Sequence, residues 1–460
     1  MSNEHNILLM TDSYKTSHYK QYPPGTQKVY SYLEARKNAE FNKTVFFGLQ
    51  YYILKYLVGK VITREKIDIA SRIIDIHMGP NVFNKSGWER LLAKHDGTLP
   101  IEIKAVPEGT LVDTNNVLLT VENTDTEFPW LTSYLETLLL KIWYPCTVAT
   151  LSYNIRRSIE IFNQQTSDSN DLVFKLHDFG YRGASSEESA GIGGLAHLLS
   201  FNGTDTLAAI LTGINYYGAG VCAHSIPASE HSTITSWGIS RECEAYQNIL
   251  TQYPNGTIAC VSDSYDLKVA VEQFWGRDLK SQVLARNGTL VIRPDSGDPI
   301  ESVLFTLRAL SKAFGTSVNS KGYHVLNSKV RVIQGDGCNL NSIIKILTAM
   351  MENKFAVDNI AFGMGGALLQ KLTRDTQSFA FKCSNITVNN IDKTVFKKPA
   401  LDPNKASKAG KFSLIKENGF FKTVPQSNHV DDWLKPVFYN GEFLAETNFQ
   451  QIKARLHKEA

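Results

Sequence analysis

The sequence lacks a charge surplus of either sign: 48 Lys and Arg stand against 45 Asp and Glu, a formal net charge of +3. A broad nucleic-acid or membrane-surface binder would carry a strong basic excess, so neither partner is expected. Cysteines are few. The six, at positions 146, 222, 243, 260, 338 and 383, form no CxxC pair. That removes zinc-site spacing and argues against a disulfide scaffold at this length. No apolar run approaches the roughly 18 residues that a membrane helix requires. The opening Met1-Ser2-Asn3-Glu4-His5-Asn6 lacks the basic start of a secretory signal, and Ile7 to Met10 is too short for its apolar stretch. No Walker A loop, internal repeat or low-complexity tract is visible. A soluble, reduced, cytoplasmic protein is expected. What is present is core material: 43% of the 460 residues are hydrophobic and 20% charged. At ~150 residues per domain this supports two or three domains.

The middle of the chain has a rhythm. Short apolar, β-branched segments each run into a loop rich in Gly, Asp and Ser. Leu172 to Leu176 precedes His177-Asp178-Phe179-Gly180, and Thr257 to Val261 precedes Ser262-Asp263-Ser264. Thr289 to Ile292 precedes Arg293-Pro294-Asp295-Ser296-Gly297, and Lys329 to Ile333 precedes Gln334-Gly335-Asp336-Gly337. Asn359 to Phe362 precedes Gly363-Met364-Gly365-Gly366. Helical patterns follow, as in Pro299 to Phe314 and Leu340 to Met351. Strand, loop and helix in succession spell βα units, and continuous apolar strands are those buried on both faces. The fold class is therefore α/β, with a (β/α) barrel-like domain expected over 151–380. The flanks, 1–150 and 381–460, are expected to pack together as a second, mixed α+β domain. In a barrel the loops after the strands open on one face, where chemistry gathers.

Those loops hold the candidate residues. Gly335-Asp336-Gly337 and Gly363-Met364-Gly365-Gly366 follow successive strands, with Arg374 beyond. Glycines let the backbone approach a phosphate, and a helix start favours an anion. Gly191-Ile192-Gly193-Gly194-Leu195-Ala196 matches the dinucleotide fingerprint in letters only. No strand precedes it, so close helix packing is the better explanation. The cations are Arg182, Arg293, Arg331 and Arg374, with Lys382, Lys397 and Lys405 downstream. Arginine forks suit phosphate oxygens, and several together point to a substrate with more than one phosphate. Asp205, Asp263, Asp295 and Asp336 are the acids; such carboxylates hold Mg²⁺, sugar hydroxyls or an amide donor. Asp205 also fits a helix N-cap. His231, in Glu230-His231-Ser232-Thr233, fits either a structural hydrogen bond or a nucleophile.

Taken in order, these motifs resemble the nicotinamide phosphoribosyltransferase family, type II phosphoribosyltransferases. The resemblance rests on Thr11-Asp12-Ser13-Tyr14-Lys15, His177 to Gly183, Gly203-Thr204-Asp205-Thr206, Glu230 to Thr233, Ser262 to Asp266, Arg293 to Gly297, Gln334 to Gly337 and Gly363 to Gly366. It implies an enzyme that joins nicotinamide to 5-phosphoribosyl 1-pyrophosphate (PRPP), with ATP as a coupled substrate, Mg²⁺ as cofactor, and a homodimer with shared active sites. Phe179, and Tyr14 from the partner subunit, would stack on the nicotinamide ring. Asp205 would hold the carboxamide, and Arg293 and Asp295 would lie beside ring and ribose. Arg182, His231, Arg293 and Arg331 would meet the diphosphate, with Arg36, Lys382, Lys397 and Lys405 adding cations across the dimer. Asp295, Gly335, Asp336, Gly365, Gly366 and Arg374 would surround the ribose and its 5′-phosphate. His231 would accept phosphate from ATP. Asp263 and Asp295 are the candidate metal ligands, and His231, Arg293 and Asp295 the candidate catalytic residues. Ala259, Met364 and Lys398 depart from the family pattern. The alternatives are a nicotinate phosphoribosyltransferase and a non-catalytic dimeric scaffold. The paired-acid loop of type I phosphoribosyltransferases is missing.

Overall fold

The computed structural model describes residues 5–401, 406–427 and 431–459. The chain forms two compact units. One comprises Leu151–Leu211 and Val221–Leu372, the other Met1–Thr150, Thr212–Gly220 and Thr373–Ala460.

The first unit is built on parallel strands: β1 (Leu176–Asp178), β2 (Gly203–Thr204), β3 (Ile258–Val261), β4 (Leu290–Arg293), β5 (Val330–Gln334) and β6 (Ile360–Met364). They line up in the order β2-β1-β6-β5-β4-β3. Residues 224–228 join the two edges, His224 pairing with Gly203 and Ala228 with Ala259, both parallel. The strands therefore curl into a closed ring. Ala259, Val291 and Ile333 point into it, with Phe179, Ile226 and Ala361 packed against them. Closure leaves no exposed sheet edge. The helices outside are specified locally. Asp298 caps Pro299–Phe314 through the N–H groups of Ile300 and Glu301, with Pro299 at its first position. Asn339 and Ser342 form a capping box for Leu340–Glu352.

The second unit carries a seven-stranded sheet in which three N-terminal strands stand between two pairs of C-terminal strands. Thr26–Ala35 lies between Phe379–Val388 and Asn116–Asn123, antiparallel to both. The division on the C-terminal side falls at Leu372, not at 380. Phe379–Val388 gives the reason: Phe381 pairs with Leu33, and Lys382 with Tyr32. Among the described residues no helix is long and apolar enough to cross a membrane.

Candidate active site

The ring opens on a pocket of about 240 Å³ at the ends of the strands, lined by Phe179, Tyr181, Arg182, Asp205, Ser225, Ile226, Ala259, Arg293 and Ile333 among others. Phe179 follows the last residue of β1, and its N–H donates to the Met364 carbonyl at 3.0 Å. Its ring lies against two glycines. A Cβ on Gly363 would stand 1.9 Å from the ring, and one on Gly335 3.7 Å away. Gly363 thus gives space to an aromatic, a use of strand glycine distinct from a phosphate cradle.

Asp205 is exposed toward the pocket, and the Ser225 hydroxyl donates to its Oδ1. The turn before the next helix is held by Thr204, whose Oγ1 accepts the Thr206 N–H at 2.9 Å. Burial lowers the pKa of His177, another lining residue, against the opposing pull of Asp205. Arg293 Nη2 pairs with Asp295 Oδ2 at 2.7 Å, and Arg293 Nε is enclosed with no hydrogen-bond partner. Gly335 lies beside both, a Cβ there meeting Asp295 Oδ1 at 3.3 Å and Arg293 Cδ at 3.8 Å.

Past the end of β3, Asp263 Oδ1 meets Nε2 of His231, the first residue of the short helix His231–Thr235, at 3.0 Å; the imidazole is 47% exposed and the carboxylate 3%. A buried acid orienting an exposed imidazole is the arrangement of an activated nucleophile or proton carrier. Asp263 is therefore engaged by His231, and Asp295 by Arg293. Among the described residues no group of three or more His, Cys, Asp or Glu could hold a metal. A cation held here by protein alone would have to take Asp263 from His231 or Asp295 from Arg293.

Several expected residues lie elsewhere. Arg331 stands near the start of β5, and its Nη1 donates to the carbonyls of Leu326, Asn327 and Val330 at 3.3, 2.9 and 2.7 Å. It lines a different cavity, of about 500 Å³, with Lys175 and Asp358. A residue at a strand's start faces away from the loops at its end, so the structure does not bring Arg331 to the pocket. Asp336 is exposed, and its carbonyl accepts from Gln334 Nε2. Gly365 and Gly366 pack on the Phe179 loop: a Cβ on Gly365 would lie 3.6 Å from the Phe179 carbonyl, and one on Gly183 3.4 Å from Gly366 Cα. The helix that Gly366 opens has only four residues, ending at Leu369. Helix packing does explain the other glycine run, since a Cβ on Gly194 would come within 2.8 Å of Ala209 Cβ.

In the flank unit, Arg36, Lys382, Lys397 and Arg374 form an electrostatic cluster. Burial, then the charges of Arg36, Lys397 and Arg374, hold the Lys382 ammonium below its ordinary range, while Glu136 pulls the other way. Arg36 Nε donates to the Ser378 carbonyl at 3.1 Å. Tyr14 is 57% exposed, its ring edge on His18. Lys405 lies outside the described residues.

The model of the "Nicotinate phosphoribosyltransferase (NAPRTase) family" matches residues 174–442, and that of the "Nicotinamide phosphoribosyltransferase, N-terminal domain" matches residues 6–103. A nicotinamide phosphoribosyltransferase of Xanthomonas campestris pv. campestris is 48% identical over 461 residues, covering 98% of this chain and 97% of the relative. The chain belongs to the nicotinamide phosphoribosyltransferase family. A second relative of that name, from Acinetobacter baylyi, is 33% identical, covering 99% of this chain and 98% of its own. The fold is shared with nicotinate-nucleotide pyrophosphorylase from Pyrococcus furiosus, with a TM-score of 0.62 at 17% identity over 100% of this chain and 97% of the other. Human nicotinic acid phosphoribosyltransferase gives a TM-score of 0.60 at 16% identity, over 98% and 93%.

Sequence reasoning gave no role to Asp178 or Ser225, and read Gly363 with the phosphate glycines. Ser225 sits in an apolar segment between bridges and carries no motif. Of the three departures from the family pattern, Ala259 lines the pocket, Met364 is buried with its carbonyl bonded to Phe179, and Lys398 is exposed.

Proposed function

We propose that the protein transfers the phosphoribosyl group of PRPP to nicotinamide, giving nicotinamide mononucleotide and pyrophosphate in NAD salvage. The observation that carries this reading is a pocket for a single ring, bounded by an aromatic face, a carboxylate held as acceptor, and an arginine. The two relatives named for the activity support it. Phe179 stacks on the ring. Asp205, one oxygen engaged by Ser225, accepts the amide N–H with the other. The ring nitrogen brings a lone pair and no proton. It bonds to the ribose anomeric carbon as the bond from that carbon to the diphosphate oxygen breaks, and the diphosphate leaves with the electron pair. No general base is needed. The chain's task is orientation and stabilisation of charge, for which Arg182 and the Nε of Arg293 are placed. Gly335, Asp336, Gly365, Gly366 and Arg374 are assigned to the ribose and its 5′-phosphate.

ATP enters through His231. With Nε2 committed to Asp263, Nδ1 is the nucleophile toward the γ-phosphoryl group. A P–N bond forms, the bond to ADP breaks, and water later cleaves the phosphohistidine. Mg²⁺ arrives with the diphosphate, as part of the substrate. A second copy of the chain supplies Tyr14, Arg36, Lys382 and Lys397 in a cytoplasmic homodimer.

The test is product formation by purified protein from nicotinamide and PRPP, with and without ATP. Nicotinamide mononucleotide should form, and faster with ATP. His231→Ala should remove both the ATP stimulation and an acid-labile phosphate on the protein. Product from nicotinate alone would make it a nicotinate enzyme; no product with either base would make it a scaffold.

A further inference from the structure

Asp178, the last residue of β1, has 0% exposure and does not line the pocket. Its Oδ1 accepts the Gly180 N–H at 2.7 Å, closing a turn around Phe179. Its Oδ2 accepts the Thr204 hydroxyl at 3.3 Å, and its main-chain carbonyl accepts the Asp205 N–H at 2.9 Å. One residue thus ties the loop of the stacking ring to the loop of the amide acceptor. Gly194 closes the space behind it, where a Cβ would stand 3.0 Å from Oδ2. A carboxylate so enclosed is costly unless its bonds are needed.

We infer that Asp178 is a positioning residue for the base: it fixes the separation of Phe179 and Asp205, so that a ring stacked on one presents its amide to the other. The inference rests on the nicotinamide reading above. Both loops are short, and without the tie each would settle separately. A misplacement of about 1 Å costs on the order of a hundredfold in a positioned reaction. PRPP is held in addition by groups outside this pair, Arg293 among them, so its binding should depend on the tie less than the base does.

The test compares wild type, Asp178→Ala, Asp178→Asn and Thr204→Val by steady-state kinetics, varying nicotinamide and PRPP separately, with thermal unfolding as a check on folding. Asp178→Ala leaves the buried Gly180 N–H without an acceptor and should raise the nicotinamide KM roughly tenfold or more. The PRPP KM should stay within about twofold, well below that change. Asp178→Asn keeps one acceptor for Gly180 and should recover most of the loss. Thr204→Val cuts only the second tie and should raise the nicotinamide KM by about threefold, below one decade in affinity. If Asp178→Ala does not fold, the Asn and Val variants decide. Parallel changes in both KM values, or no change in nicotinamide KM in the folded variants, would overturn the inference. A wild type that neither binds nor uses nicotinamide would instead overturn the functional reading itself.

Discussion

The barrel pocket and the flank's cation cluster hold their polar groups in opposite ways. In the barrel three functional side chains are paired: Ser225 on Asp205, Asp295 on Arg293, Asp263 on His231. Phe179 is seated on Gly363. In the flank, burial and, after the opposing pull of Glu136, the charges of Arg36, Lys397 and Arg374 push Lys382 toward its neutral form. A site whose groups are already satisfied reads shape and hydrogen bonding. Mutually repelling cations gain most from a polyanion that relieves them. On the proposed function the barrel reads the base and meets phosphate through Arg182, Arg293 and its glycine loops, and the flank cations add attraction for the polyanion.

The sharpest way to break this division is Gly363→Ala. Its Cβ would lie 1.9 Å from the Phe179 ring. The ring must shift, and kcat/KM for nicotinamide should fall by about a hundredfold. A comparable fall in affinity for PRPP, measured by calorimetry, would contradict a role for Gly363 confined to seating the base-stacking ring.

Gly363 also shows where the sequence stopped being legible. The strand-then-loop rhythm is local, so the parallel strands and their polar ends could be read directly. The function of a glycine depends on what faces it, and Phe179 comes from a strand far away in sequence. The pairing of Asp263 with His231 spans 32 residues, beyond the reach of any local pattern. Arg331 was counted with the loop cations, although its place at the start of β5 turns it to the other end of the ring. The boundary at Leu372 depends on the pairing of Phe379–Val388 with Thr26–Ala35, a long-range register that no local pattern reveals.

Lys382→Ala should act on the other side of the comparison. The PRPP KM should rise roughly tenfold, as for the loss of a charge-assisted contact, with the nicotinamide KM unchanged. High salt should mimic it, because exposed charges are screened. Arg331→Gln should leave the PRPP KM alone.

Whether the two regions serve one another across copies of the chain is tested by mixing Tyr14→Ala with Arg293→Ala protein. Random exchange makes half the dimers mixed, each with one intact site, so recovery should approach about a quarter of wild-type activity. No recovery after verified exchange would place Tyr14 and Arg293 of one chain in the same site.

The smallest expected effect lies within the flank. Burial pushes the Glu108 carboxyl up to about 7, against the pull of the Gln50 N–H. A carboxyl whose folded pKa is raised holds its proton more tightly when folded. Stability from this group therefore grows as pH falls through 7 toward the ordinary carboxylate range near ~4.3. Between pH 8 and 6 the melting temperature of the wild type should gain roughly 1–3 °C over Glu108→Gln. A gain on raising the pH would reverse the sign.

Base selectivity tests the account most directly. An ionised Asp205 accepts the amide N–H of nicotinamide but faces a second negative charge with nicotinate, a mismatch worth several kcal/mol, or ~1.4 kcal/mol per decade. The measurement is kcat/KM for both bases with wild type and Asp205→Asn. Wild type should prefer nicotinamide by about a hundredfold or more, and the variant, which offers an amide donor to a carboxylate, should narrow that ratio at least about tenfold. Equal use of the two bases by wild type, or an unchanged ratio in Asp205→Asn, would contradict a pocket that selects its base through this carboxylate.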